Sequence, residues 1–141
     1  MNLNKYFKNS NKFKGKIIVI SAKDEPAKYI KNFVNANNLG LRMNIKYRNS
    51  YVAVVDKSAK FVYEEVSEKK IECSYNIHNT FIDIVSGGFS AGNSSIIKIE
   101  NQEFSKKHRG LNIAIFKRKN LKLIDSFYVD TFTDQELTIV R

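Results

Sequence analysis

Residues 88–92 read G-F-S-A-G, which has the spacing of the nucleophile elbow of serine hydrolases. That elbow needs its serine on a strand-to-helix turn, with the acid and then the histidine following in the chain. Ser90 is instead followed by N-S-S-I-I-K-I-E, which alternates like a strand. The one later histidine, His108, precedes the candidate acids Asp125 and Asp130. The pattern therefore favours a glycine turn between two strands over a catalytic serine.

Two other types of site are incomplete. Residues 87–92 have the G-x-x-x-x-G spacing of a phosphate-binding loop, but Asn93 and Ser94 follow where Lys and Ser or Thr would have to reach the phosphates. Cys73 and His78 are five residues apart and do not make up a metal-ligand set. We expect Cys73 to be a small buried apolar residue, and we expect no metal and no cofactor.

The adjacent carboxylates Asp24 and Glu25 could act as an acid/base pair. They stand at a predicted strand-to-helix turn, where acidic residues more often cap the helix. No second catalytic carboxylate is marked to oppose them. The sequence therefore predicts a protein that is not an enzyme.

Aromatic and basic residues are interleaved at two places, Tyr47-Arg48 with Tyr51, and Phe104 with the basic residues at 106–109. Such mixtures can stack nucleic-acid bases and hold phosphates. They can equally bind sugars, whose rings stack on aromatic faces and whose hydroxyls accept from Arg and donate to Asp. Ordinary half-buried strand aromatics give the same pattern, and the residues alone leave these three interpretations open.

The composition fits one globular domain over residues 1–141, with 43% hydrophobic residues and a net charge of +10. The charge would attract polyanions, although the lysines are scattered as they are on an ordinary soluble surface. The longest apolar run in the basic N-terminal part, I-I-V-I at 17–20, is too short for a signal peptide or a membrane span. We expect no membrane insertion and, by default, a cytoplasmic protein.

The hydrophobic pattern predicts few helices and many strands. Residues 2–14 suit a short helix, and residues 27–39 suit a longer one with an apolar stripe that Gly40 ends. A charged turn at 67–70 predicts a hairpin between its flanking strands. We expect an α+β fold, with two mainly antiparallel sheets packed as a sandwich-like core and flanked by short helices. The predicted strands are 16–20, 51–55, 61–66, 71–75, 80–85, 95–100, 111–117 and 121–129.

Residues 86–130 resemble the GG domain, also called the PANDER-like or interleukin-like EMT-inducer domain. The resemblance rests on S-G-G-F-S-A-G with S-S-I-I-K-I-E, then R-G-L-N-I-A-I-F, then F-Y-V-D-T, in that order. Family members include secreted cytokine-like proteins and the stem region of a protein O-mannose N-acetylglucosaminyltransferase. Residues 4–55 are similar to the second half of that family but precede the block. This order indicates a circular permutant, which requires residues 16–20 and 121–129 to share one sheet system.

The resemblance also implies a sugar site. In the glycosyltransferase stem, two arginines and an aspartate bind a sugar, and the matching residues here are Asp24, Arg48 and Arg109. Around them, the other candidates for contact with the sugar are Glu25, Tyr47, Tyr51 and Phe104. Two departures from the family are Tyr51 where Trp is usual and Asn49 where Asp is usual.

The resulting expectation is a non-catalytic glycan-binding domain that works in glycan recognition or beside a glycosyltransferase or another protein of a polysaccharide system. One alternative is a protein-interaction or signalling module in which the Arg/Asp cluster is structural. A nucleic-acid ligand is less favoured.

Overall fold

The computed structural model describes all residues, Met1–Arg141, and shows a mostly-β protein. All eight predicted strands are present, together with a two-residue strand after the sixth. The strands are β1 (Lys16–Asp24), β2 (Ser50–Asp56), β3 (Phe61–Ser67), β4 (Ile71–Ile77), β5 (Thr80–Gly88), β6 (Ser94–Ile99), β7 (Gln102–Glu103), β8 (Gly110–Lys117) and β9 (Leu123–Val129). The helical elements are α1 (Leu3–Tyr6) and three 3₁₀ turns, Ser10–Phe13, Ile30–Asn32 and Val34–Leu39.

The nine strands form one open mixed sheet, so the predicted pair of sheets packed as a sandwich is wrong. Strand β1 is flanked by antiparallel β2 and β8, and β8 is flanked by antiparallel β9. The pairing with β2 stops at Ser21, which leaves the end of β1 free on that side. There β5 runs parallel to β1, with Lys23 paired to Gly87. The other partners of β5 are β4 and β6, which both pair with it in antiparallel orientation.

Buried serine hydroxyls hold this junction together. Ser21 donates to the carbonyl of Val85 and Ser86 donates to that of Ala22, each at 2.5 Å. The Ser86 oxygen in turn accepts from the backbone N–H of Tyr51 at 2.9 Å. These bonds satisfy buried backbone groups at the point where β1 changes its partner from β2 to β5, where they would otherwise be left without partners.

Strand β1 is buried on both faces, as its β-branched run predicts. Successive side chains of a strand point to opposite faces. Ile18 and Ile20 pack into a core with α1, the 3₁₀ turns and β9. Ile17 and Val19 pack into a second core with β4, β5 and β6. All four are fully buried, and each such side chain contributes about 2 kcal/mol relative to exposure.

The predicted helix at 27–39 is replaced by two 3₁₀ turns, so the protein is mostly β with only short helical turns rather than α+β. The asparagines of this segment divert the backbone from helical bonding: the N–H of Asn35 donates to the side chain of Asn4, and the Asn35 amide donates to the Asn4 carbonyl. Asparagine competes with the helix through such bonds. Ile30 and Phe33 are buried, but Val34 of the predicted stripe is 65% exposed. No helix in the protein has the length and apolar character needed to span a bilayer.

The predicted hairpin around residues 67–70 is also absent. Strand β3 pairs along its whole length with β2, and β4 pairs along its whole length with β5. The C-terminal segment, residues 134–141, is held by two isolated β-bridges. Thr138 pairs with Asn2, Val140 pairs with Tyr128, and Ile139 between them is buried, as is Leu137 just before them.

Candidate functional site

Asp24, Arg48 and Arg109 lie at one end of the sheet, and we refer to them together as the arginine edge. Asp24 is the last residue of β1, and Arg109 directly precedes β8, whose Gly110 pairs with Lys23. The N–H of Phe89, in the turn after β5, donates to the carbonyl of Asp24 at 2.9 Å. The ring of the same Phe89 lies 4.2 Å from the Arg48 guanidinium carbon. Residues far apart in sequence are thus brought to one edge.

A tight turn before β2 presents Arg48. Asn49 closes this turn, because its side chain accepts from the N–H of Lys46 at 2.8 Å and its own N–H donates to the Lys46 carbonyl at 3.0 Å. Arg48 has a positive φ of 57°. The asparagine found where the resembled family has aspartate therefore has a clear local role in shaping the turn.

The Arg48 guanidinium is stacked rather than paired. Its carbon lies 4.8 Å from the Tyr47 ring centroid and 4.2 Å from that of Phe89. It makes no ion pair and donates no hydrogen bond within the chain. Cation–π contacts fix the plane of a guanidinium while leaving the N–H donors at its rim free. The planar donor set of Arg48 is consequently held in place and available to a ligand.

Asp24 has a similarly free carboxylate. Its backbone is held in the left-handed region, with φ at 65°, and its carbonyl is bonded to Phe89. The half-buried carboxylate accepts no hydrogen bond and forms no ion pair within the chain. Its charge nevertheless contributes to raising the pKa of Arg109. The edge therefore offers an unpaired acceptor near the Arg109 cation.

Arg109 is the member of the edge that is paired. Its Nη2 donates to Asp130 at 2.8 Å, and its Nε lies 3.3 Å from both Asp130 oxygens. The hydrogen bond to Asp130 is the main cause that raises the pKa of Arg109. Burial opposes ionisation of Asp130, but hydrogen bonds from Arg109 and Thr133 outweigh it and lower the pKa of Asp130. The Nη1 group of Arg109 keeps its donors, and the side chain is 37% exposed.

Glu25, a predicted contact residue, is buried at 3% exposure. Both of its carboxylate oxygens accept from the backbone N–H of Arg48 at 3.0 Å, and one accepts from that of Ala27 at 3.1 Å. Its carboxylate thus ties the Arg48 turn to the segment after β1. This geometry makes Glu25 a positioning residue for the arginine edge.

The structure separates the three predicted stacking residues. Tyr47 is 65% exposed and contacts Arg48. Tyr51 is fully buried, and its hydroxyl donates to Glu64 at 2.7 Å, so its predicted place on a sugar-stacking face is wrong. Phe104 packs edge-on against Phe116 at 5.0 Å beside the second core, away from the arginine edge. Of these three predicted residues, only Tyr47 can contribute a ring at this edge.

Sequence reasoning missed Phe89, Asp130 and Phe132. Phe89 is 49% exposed and stacks on Arg48, and Phe132 lies 5.2 Å from the Arg109 guanidinium carbon. The sequence signal available for Phe89 was its position directly after two glycines, in a predicted turn. Nothing local marks Asp130 or Phe132, since their contacts with Arg109 depend on the pairing of β8 with β9.

The turn that contains Ser90 joins two antiparallel strands, with Gly87 paired to Ser94, as the sequence predicts for a glycine turn. Ser90 is exposed and makes no side-chain hydrogen bond. His108 stacks instead on Tyr128, with ring centroids 3.8 Å apart, and its backbone N–H donates to Asn112 at 2.9 Å. The Asn112 bond fixes the segment that carries Arg109.

A scan of protein-family models finds no match to this chain, and searches of curated proteins and of solved structures find none either.

Proposed function

We propose that this chain is a non-catalytic glycan-binding domain whose sugar site is the arginine edge. The observation that carries the proposal is the Arg48 guanidinium, which lies over two aromatic rings and makes no hydrogen bond or ion pair within the chain. The Asp24 carboxylate, at the same end of the sheet, is also unpaired. A sugar hydroxyl is both a donor and an acceptor. Asp24 can accept from one hydroxyl while Arg48 donates to its neighbour, and Nη1 of Arg109 supplies further donors.

The edge is also partly prepared for binding before a ligand arrives. Glu25 and Asn49 fix the backbone turn at Arg48, and the rings of Tyr47 and Phe89 pack against its guanidinium. Binding therefore loses less conformational freedom than it would with a mobile arginine. The exposed Tyr47 ring adds apolar area on which the C–H face of a sugar can stack.

We further propose that the fold is a GG, or PANDER-like, domain in circularly permuted order. Two features support it: β1 and β9 belong to one sheet with β8 between them, and Asn2 pairs with Thr138. In that setting the domain would work in surface-glycan recognition or beside a glycosyltransferase or another protein of a polysaccharide system.

Glycan-array binding followed by calorimetric titration of a positive sugar tests the proposal. Arg48→Ala should abolish binding while the thermal midpoint changes little, because the guanidinium makes no hydrogen bond or ion pair in the free protein and stacks only on two partly exposed rings. Arg141→Ala is the matched control, since that arginine pairs with Asp125 near the middle of β9. Full binding retained by both Arg48→Ala and Arg109→Ala would rule out this site.

One observation favours a second candidate, a protein-interaction module in which the arginine edge is structural. The ion pair of Arg109 with Asp130 holds the turn after β9, where Asp130 also accepts from the N–H of Phe132 at 3.1 Å. In that case Arg109→Ala and Arg48→Ala would both lower stability and leave partner binding elsewhere intact. A nucleic-acid ligand would differ from both through a steep fall of affinity with salt.

A further inference from the structure

A groove of about 830 Å³ runs between the segment after β1 and the segment that leads to β2. Its charged lining residues are all cationic, namely Lys28, Lys31, Arg42 and Lys46, and no aspartate or glutamate lines it. All four side chains are exposed, and none forms an ion pair within the chain. A concave surface lined by one sign of charge concentrates the field and attracts ligands of the opposite sign.

One wall of the groove is held by the carboxylate of Glu64, which is not among the lining residues. Glu64 accepts from the N–H groups of Arg42, at 3.0 Å, and Met43, at 2.7 Å, and from the hydroxyl of Tyr51. Because Glu64 bonds to the backbone of this wall, it fixes the position of Arg42 without forming an ion pair with the Arg42 side chain. The floor is aliphatic, formed by Ile30, Leu41, Met43 and Ile45, which are each less than 9% exposed.

The groove adjoins the arginine edge. Ala27 and Lys46 line it. Lys46 lies two residues from Arg48, and Ala27 lies two residues from Glu25, which positions the Arg48 turn. Glu25 accepts from the N–H groups of both Ala27 and Arg48, and so ties the two walls together at this end. A linear ligand bound at Arg48 can therefore continue into the groove.

We propose that the groove binds the carboxylate groups of an acidic polysaccharide, a chain of sugars with uronate units, of which one unit occupies the arginine edge. This inference rests on the proposed sugar site and names its ligand class. A uronate chain presents carboxylates to the four cations and C–H faces to the aliphatic floor. A single-stranded nucleic acid fits less well, because bases need exposed aromatic platforms and the one aromatic lining residue, Phe33, is 4% exposed.

The test compares two double variants of equal charge change. Lys31→Glu with Arg42→Glu reverses two groove cations, and Lys119→Glu with Lys122→Glu reverses two exposed cations on the β8–β9 turn. Binding is measured to immobilised polygalacturonate, to its fully methyl-esterified form and to oligo-dT at several salt concentrations. We expect wild-type protein to bind polygalacturonate in a salt-sensitive way. The groove variant should lose about tenfold or more in affinity, which corresponds to about 1.4 kcal/mol, and the control about twofold or less.

Four outcomes would overturn the inference: no binding of polygalacturonate, equal binding of the esterified polymer, equal losses in both double variants, or tighter binding of oligo-dT. Arg48→Ala on a glycan array separates this result from the parent proposal. If neutral sugars bind and that binding needs Arg48, the sugar site holds and only the acidic ligand class fails. Another result is that the groove variant no longer binds polygalacturonate while Arg48→Ala binds every glycan as wild type does. In that case the proposed sugar site is wrong, and so is the placement of a uronate unit at the arginine edge.

Discussion

The backbone carbonyl oxygen of Arg48 occupies the space that a Cβ atom on Gly88 would need. Because Gly88 has no side chain, the end of β5 can lie directly against the turn that presents Arg48. The N–H of Gly88 also donates to the hydroxyl of Ser50, just beyond that turn, at 3.0 Å. Gly88 thus allows this close backbone approach and, through it, the placement of Phe89 against Arg48.

Gly88→Ala should therefore destabilise the protein and displace Arg48. The added methyl group meets backbone atoms rather than a flexible side chain, so we expect a loss of about 2 kcal/mol in the free energy of unfolding. Sugar affinity should fall in the same variant. Ser90→Ala, in the same turn but exposed, is the control and should change neither quantity. Wild-type stability of Gly88→Ala in a denaturant titration would contradict this packing.

Substitutions at Tyr51 and Tyr47 should have separate effects, the first on the stability of the fold and the second on sugar binding. Tyr51→Phe removes a buried hydrogen bond to Glu64, so we expect a loss of about 1 kcal/mol in stability with no change in sugar affinity. Tyr47→Ala removes an exposed ring from the Arg48 guanidinium and should weaken binding with little change in the thermal midpoint. Denaturation and calorimetric titration of both variants check the pair. A weakened sugar affinity in Tyr51→Phe at full stability would show that the tyrosine acts at the site after all.

The ion pair of Asp130 with Arg109 should make stability depend on acid pH. Folding lowers the pKa of Asp130, so its carboxylate contributes stability that is fully present above its unfolded pKa of about 4. That contribution is lost as the pH falls through the lower folded value. Asp130→Asn should be about 2 kcal/mol less stable than wild type at neutral pH, and the difference should shrink in acid.

Unfolding free energies of both proteins between neutral and acid pH check the Asp130 prediction. A double-mutant cycle with Arg109→Ala assigns the effect to the pair, because Asp130→Asn should cost less when Arg109 is already absent. A stability difference that stays constant down to the lowest pH would contradict it.

The thiol of Cys73 should react slowly in the folded protein. Burial, together with the nearby charge of Glu65, raises the pKa of Cys73 from 9.0 to about 11. Since the thiolate is the reactive form, alkylation by iodoacetamide at mildly alkaline pH should be about 100-fold slower than for the chain unfolded in urea. Glu65→Gln should speed the folded reaction modestly. Equal rates in the folded and unfolded protein would refute the shift.

The strands themselves follow from local pattern. The β-branched run at Ile17–Ile20 predicts a strand buried on both faces, and both faces are covered. The glycines around Phe89 predict a turn between strands, and that turn is present. These features depend on the alternation of side chains and on the conformational freedom of glycine, which act over a few residues.

Which strands pair with each other, in contrast, depends on segments that are distant in the sequence. The charged turn at 67–70 suggests a hairpin, but β3 finds its partner in β2 and β4 finds its partner in β5. The single mixed sheet depends on β5 reaching the free end of β1, where Ser21 and Ser86 complete the bonding. The asparagines at 32–38 likewise bond to distant backbone groups, such as those of Asn4, and this is why the predicted helix does not form.

The sequence by itself identified Asp24, Arg48 and Arg109 as candidate site residues. Only the tertiary structure decided which contacts each of them makes. Alternation shows that Tyr51 and Ala53 share a face but not that this face is covered, and the first core buries Tyr51. Glu25 is a buried anchor for the Arg48 turn, Arg109 pairs with Asp130, and Arg48 keeps all of its guanidinium donors free beside Tyr47 and Phe89. The physical reason is that burial and pairing depend on contacts between residues dozens of positions apart, which no local pattern contains.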